Sequence, residues 1–140
     1  MILRIDHVGI AAADAEGTGA ALNALGLLRT CAGPAADYGV TCDFWTVAGR
    51  AGDPAIEVVS PAGEDSAVAG VLARRGPGPY HVAFEVDDVR AELARLRELG
   101  CVAVDAEPRR GARPGMRVAF MYLRRPAGLL IELVEYTEVP

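Results

Sequence analysis

The chain has 140 residues, is 51% apolar and carries a net charge of −5, so it suits one domain with a sizeable core and needs no staples. The acidic balance excludes a nucleic-acid or anionic-membrane partner, both of which need a basic face, and no apolar run approaches the ~20 residues that span a bilayer. All fourteen basic residues are Arg, which excludes lysine Schiff-base chemistry. The first residues lead directly into Ile2-Leu3-Arg4-Ile5-Asp6-His7 without a basic-then-apolar leader, so a cytoplasmic location is expected. Cys31, Cys42 and Cys101 share no CxxC spacing and are expected as buried free thiols.

In chain order, the six to eight residues from Ile5 alternate or run apolar, as a half-buried strand does. Asp14 then stands where a helix N-cap belongs, Ala20, Ala21, Leu22 and Leu25 form the apolar stripe, and Gly26 is the left-handed stop. Strands are predicted at about 27–32, 40–48 and 55–60, divided by Gly- and Pro-rich turns. Ser66–Ala73 reads as a short connecting helix, closed by Gly76-Pro77-Gly78-Pro79. The same pattern then recurs, with a strand from Tyr80, an N-cap at Asp88, a stripe of Val89, Leu93, Leu96 and Leu99, and Gly100. Further strands follow at about 101–105, 117–123 and 129–135.

This recurrence is an internal repeat. Placing His7 on His81 aligns Val8 with Val82, Ile10 with Phe84, Asp14 with Asp88, and Leu25-Gly26 with Leu99-Gly100, without a gap. Ala55-Ile56-Glu57-Val58-Val59 resembles Leu130-Ile131-Glu132-Leu133-Val134 with a shift of one residue. The expected fold is α+β, one domain of two βαβββ modules with pseudo-two-fold symmetry. Module one covers about residues 1–62, a connector about 63–78 and module two about 79–140.

The chain has only two histidines, and both fall on the same position of the repeat. A core role gives no reason for that match; a shared site on the pseudo-axis does. Glu57 and Glu132 stand inside runs of Ile, Val and Leu at equivalent positions, where an unpaired inward carboxylate is costly. His7, Glu57, His81 and Glu132 therefore form a candidate metal set. Two imidazoles and two carboxylates balance a dication, and a mixed N/O set suits Co, Ni, Mn, Fe or Zn rather than Ca.

With these residues in place the chain resembles the vicinal oxygen chelate superfamily, and within it the methylmalonyl-CoA epimerase family. The matching stretches are Ile5-Asp6-His7-Val8, Ile56-Glu57-Val58-Val59-Ser60-Pro61, Asp65–Leu72, His81–Asp88 and Gly128–Leu133. The resemblance implies a curved sheet around a metal cleft, with His7, Glu57, His81 and Glu132 as ligands and Glu132 also as catalytic base. It implies proton transfer α to the carbonyl of a 2-substituted acyl thioester such as methylmalonyl-CoA, and a homodimer. Some epimerases carry a second base, a Glu, where this chain has Cys42. Asp43 is the candidate catalytic substitute, provided that a bulge turns it inward, with Cys42 or water as the alternatives. A glyoxalase-like isomerase, or a tailoring enzyme or cyclase of secondary metabolism, would use the same four ligands. A ring-cleaving dioxygenase needs only three of them, and a drug-binding protein none.

Overall fold

The computed structural model describes residues 1–137, so the last three residues assigned to module two lie outside the described part. Strand β1 (Ile2–Ala11) leads to helix α1 (Ala15–Ala24), then β2 (Leu27–Ala35), β3 (Val40–Val47) and β4 (Ala55–Pro61). After the connecting helix α2 (Ala69–Arg75) come β5 (Gly78–Val86), α3 (Val89–Glu98), β6 (Val102–Ala103), β7 (Arg109–Arg110), β8 (Met116–Leu123) and β9 (Leu129–Tyr136). All strands join one curved sheet in the order β2-β3-β4-β1-β5-β9-β8-β6, with β7 on β8. Each half closes on a parallel pair, β1 with β4 and β5 with β9, and the halves meet along the antiparallel β1–β5 seam. The fold is the pseudo-symmetric α+β pair of modules expected from the repeat.

Local chemistry repeats as well. Asp14 caps α1 by accepting from the Gly17 amide at 2.9 Å, and Asp88 caps α3 by accepting from Ala91 at 3.0 Å. Gly26 and Gly100 follow the helix ends at φ +97° and +95°, conformations that disfavour any residue with a Cβ.

The helix faces differ from the expected stripes. On α1 it is Gly19 and Leu22 that are buried, while Ala20, Ala21 and Leu25 are exposed. A Cβ on Gly19 would stand 2.6 Å from the Trp45 ring, so the contact is made by a glycine that yields to a large partner. On α3, Val89 and Leu93 pack against Ala119, Met121 and Leu133 as expected, but Leu99 is exposed beyond the last turn. The strand expected at 101–105 narrows to two residues, because Val104 and Asp105 both donate to the Phe120 carbonyl. The Asp105 carboxylate in turn accepts from the Phe120 amide and the Tyr38 hydroxyl. All three cysteines are free, with Cys42 buried and Cys31 and Cys101 half-buried.

With α1 and α3 packed on one face, the other face of the sheet curves around an apolar cluster that includes Val40, Cys42, Phe44, Val59, Met116 and Val118, against which Val71 and Leu72 of α2 pack. No helix of the described residues is long and apolar enough to cross a membrane.

Candidate metal centre

His7 and His81 come from the two strands of the seam, and both stand beside a β-bulge. Between Ile5 and His7, β1 advances two residues while β5 advances one, from Phe84 to Ala83. Between Pro79 and His81, β5 advances two while β1 moves from Ile10 to Gly9. The extra residues are Asp6 and Tyr80, equivalent in the repeat, and each bulge re-aims the side chain next to a histidine. The seam is tight at this point. A Cβ on Gly9 would lie 2.2 Å from the His81 ring, so only glycine lets the imidazole lie across β1.

Glu57 and Glu132 enter from the last strand of each half, opposite Phe44 and Phe120 on the neighbouring strands. Phe44 meets His7 edge-on at 5.5 Å and Phe120 meets His81 edge-on at 5.1 Å. Each half thus supplies a His, a Glu and a Phe. The repeat carried a signal for the phenylalanines, which stand thirteen residues before Glu57 and twelve before Glu132, but apolar side chains on strands read simply as core.

The structure brings His7, Glu57, His81 and Glu132 together, all four buried, with one ligand atom from each within 4.8 Å of the others. The two Nε2 atoms are 3.1 Å apart. Glu132 Oε2 is 3.0 Å from His7 Nε2 and 2.7 Å from that of His81, and Glu57 Oε1 is 3.5 and 3.4 Å away. Donors held at roughly 2.0–2.2 Å from a shared ion stand about 3.0 Å apart at right-angled positions and about 3.4 Å apart in a tetrahedron. The observed separations bracket these values, and hydrogen bonding alone gives no reason for two imidazoles to aim the same nitrogen at one point. The donor set fits a divalent ion.

Electrostatics agree. Burial would lower the pKa of His7 and His81, but the charges of Glu132 and Glu57 overcome it and raise both. Burial would raise Glu57 and Glu132, but the histidines hold both below the ordinary carboxylate value. The carboxylates thus favour protonation of the imidazoles, and the imidazoles favour ionisation of the carboxylates.

Around it, Val40, Val59, Val118 and Phe120 help to wall a narrow cavity of about 90 Å³. Cys42, Tyr38 and Tyr80 also face this cavity. Asp43 is not brought to the site. β3 pairs with β4 without a bulge from Val40 to Trp45, so Asp43 points to the opposite face from Cys42. It lies 3.8 Å from Arg29. The condition for an inward Asp43 is not met, and the thiol occupies that place. Burial, then the charges of Glu57 and Glu132, push the Cys42 thiol far up, so it stays protonated.

These shifts predict opposite pH responses with and without metal. The carboxylates' contribution to stability is present above their ordinary value of 4.5 and is lost as pH falls. The imidazoliums' contribution is complete below 6.5 and is lost as pH rises through their raised values. An ion needs neutral imidazoles, so its affinity climbs with pH. The difference in Tm between cobalt-loaded and chelator-treated protein should widen steadily from about pH 5.5 to about pH 8. A difference that is flat or shrinks over that range contradicts binding through the histidines.

A sequence profile described as the glyoxalase/bleomycin resistance protein/dioxygenase superfamily matches residues 6–120. The chain is 37% identical to the ethylmalonyl-CoA/methylmalonyl-CoA epimerase of Cereibacter sphaeroides over 95% of this chain and 98% of that one. It is similar to the crystal structure of Mycobacterium tuberculosis methylmalonyl-CoA epimerase, with TM-score 0.86 and 33% identity over 98% of this chain and 90% of that one. A Streptomyces coelicolor methylmalonyl-CoA epimerase variant in complex with 2-nitronate-propionyl-CoA matches with TM-score 0.86 and 34% identity, over 99% of this chain and 100% of that one. Carried over nearly the full length of both chains, the likeness makes this chain a member of the methylmalonyl-CoA epimerase family within the glyoxalase/bleomycin resistance/dioxygenase superfamily.

Proposed function

We propose that the chain is a divalent-metal-dependent epimerase acting on a 2-substituted acyl thioester such as methylmalonyl-CoA. The observation that carries this reading is the convergence of two histidines and two glutamates in a narrow apolar cavity. His7, Glu57, His81 and Glu132 would hold the ion, with Co, Ni, Mn, Fe and Zn all suited to the donor set. A bound ion supplies Lewis acidity that makes the proton between two carbonyl-type oxygens easier to remove. Glu132 is the base of this scheme, kept ionised by the two histidines. The apolar wall excludes water and favours the compact alkyl branch of the substrate. Inversion needs a proton donor on the other face, and the protonated Cys42 thiol or a water molecule fills that role in place of Asp43.

Isotope exchange tests the scheme. Methylmalonyl-CoA incubated with the protein in deuterated water should lose its C2 proton faster than without protein. Glu132→Gln should suppress the exchange by about 10²–10⁴-fold, the cost of a lost general base, with metal content checked by elemental analysis. Asp43→Asn should leave inversion unchanged, whereas Cys42→Ala should slow inversion more than exchange if the thiol is the donor. Metal-loaded wild-type protein that neither exchanges nor inverts this substrate contradicts the epimerase reading.

A CoA thioester also carries phosphates. Of the fourteen arginines, the guanidiniums of Arg74, Arg75, Arg97, Arg110, Arg124 and Arg125 pair with no acidic side chain among the described residues. Arg74 and Arg75, at the end of α2, line a groove that shares Tyr80, His81 and Leu130 with the cavity. The loop carrying Arg124 and Arg125 leads to Gly128, which lines the same groove. Unpaired guanidiniums are suited to phosphate, so this groove is the proposed path of the nucleotide end. Replacing Arg74 and Arg75 together with Ala should raise KM for methylmalonyl-CoA about tenfold or more, on the scale of one or two lost charge-assisted bonds, and leave KM for methylmalonyl-pantetheine unchanged. Equal effects on both substrates would remove the groove from phosphate binding.

A further inference from the structure

The two bulges beside the histidines are equivalent in position but not in chemistry. Asp6 is buried, and its Oδ2 lies 2.6 Å from His7 Nδ1. The same carboxylate accepts from the Tyr136 hydroxyl at 3.1 Å and from Arg113 at 3.2 Å, and Arg113 also donates to the Tyr136 oxygen at 2.6 Å. Arg113 further lies over the Phe44 ring at 3.9 Å, the ring that packs edge-on against His7. At the equivalent bulge stands Tyr80, whose ring meets His81 edge-on at 5.1 Å. His81 Nδ1 is buried without a hydrogen-bond partner.

We infer that Asp6, braced by Tyr136 and Arg113, is a positioning residue that fixes His7 as the anchored ligand, while His81 is left as the unanchored one. This rests on the metal reading above. A carboxylate accepting from Nδ1–H keeps the proton on that nitrogen and leaves the Nε2 lone pair facing the cluster. Three features argue for a dedicated device rather than incidental pairing. The carboxylate reaches the ring only because a bulge breaks strand alternation at Asp6. It is braced by donors from the other half of the chain, so the orientation of His7 depends on both modules being docked. The equivalent residue in the second half makes no such bond, so the fold itself does not require one.

The test is cobalt binding by wild-type, Asp6→Asn, Tyr136→Phe and Tyr80→Phe proteins, read by titration calorimetry and by the visible spectrum of the bound ion. An amide at position 6 can donate to Nδ1 and so move the imidazole proton onto Nε2, in competition with the ion. Asp6→Asn should therefore weaken cobalt about 10–100-fold, the range typical of lost outer-shell partners, and change the spectrum. In the metal-loaded wild type, the His7 ring should show a protonated Nδ1 by nitrogen NMR, a signal that a purely structural carboxylate would not govern. Tyr136→Phe, which keeps Asp6 and removes one brace, should weaken cobalt about threefold or more by the same loss of outer-shell support, and it carries the test if Asp6→Asn does not fold. Tyr80→Phe should bind like wild type. Unchanged affinity and spectrum in Asp6→Asn, or in Tyr136→Phe where only that variant folds, would overturn the inference. A wild-type protein that binds no cobalt would instead remove the metal reading on which it rests.

Discussion

The structure turns on one electrostatic constraint. Two carboxylates and two imidazoles are buried at one point on the seam between two half-sheets, where Glu132 lies 2.7 Å from His81 of its own half and 3.0 Å from His7 of the other. A carboxylate taken out of water into an apolar strand costs several kcal/mol unless a cation or strong donors meet it. His7 and Glu57 from one half, with His81 and Glu132 from the other, come within reach of one shared ion only when β1 and β5 lie side by side. The register of the seam, the two bulges beside the histidines and the absence of a side chain on Gly9 all serve to place four polar groups within reach of one ion. The apolar residues around them then do two jobs, completing the core and keeping bulk water from the cluster.

Symmetry explains how such a site arises, and its breaking points to how the site works. A repeated His, Glu and Phe from each half generate a four-donor centre with a Phe on either side. The residues that differ between the halves occupy matched places. Asp6 corresponds to Tyr80, so one histidine is held by a carboxylate and the other touches an aromatic ring that also lines the cleft. Phe44 lies beside Arg113, whereas Phe120 is near Tyr38. Chemistry on a substrate with two distinct faces needs a site whose halves differ, and these substitutions supply the difference without disturbing the donor set.

Much of this was legible in the sequence because the repeat doubled every signal. One strand histidine is ambiguous, but two at the same repeat position with two buried glutamates in step are not. The caps at Asp14 and Asp88 and the stops at Gly26 and Gly100 were readable for the same reason. What escaped were features that depend on three-dimensional context. Gly19 forms the contact face of α1 because Trp45 fills the space above it, and a stripe drawn from apolar side chains passes over a glycine. Asp6 was visible only as part of a motif, since its role needs a bulge that moves it to the histidine's side. The direction of Asp43 depended on whether β3 carried a bulge, and the short β6 on how Asp105 closes its strand.

Four donors, two from each half, are placed to hold one divalent ion jointly. Elemental analysis, with native mass spectrometry of protein purified without chelator, tests this directly. About one divalent transition ion per chain is expected, bound by the four donors that the structure brings together, with its loss in both His7→Ala and His81→Ala. Full occupancy in either variant, while the protein remains folded, would contradict a centre shared across the seam.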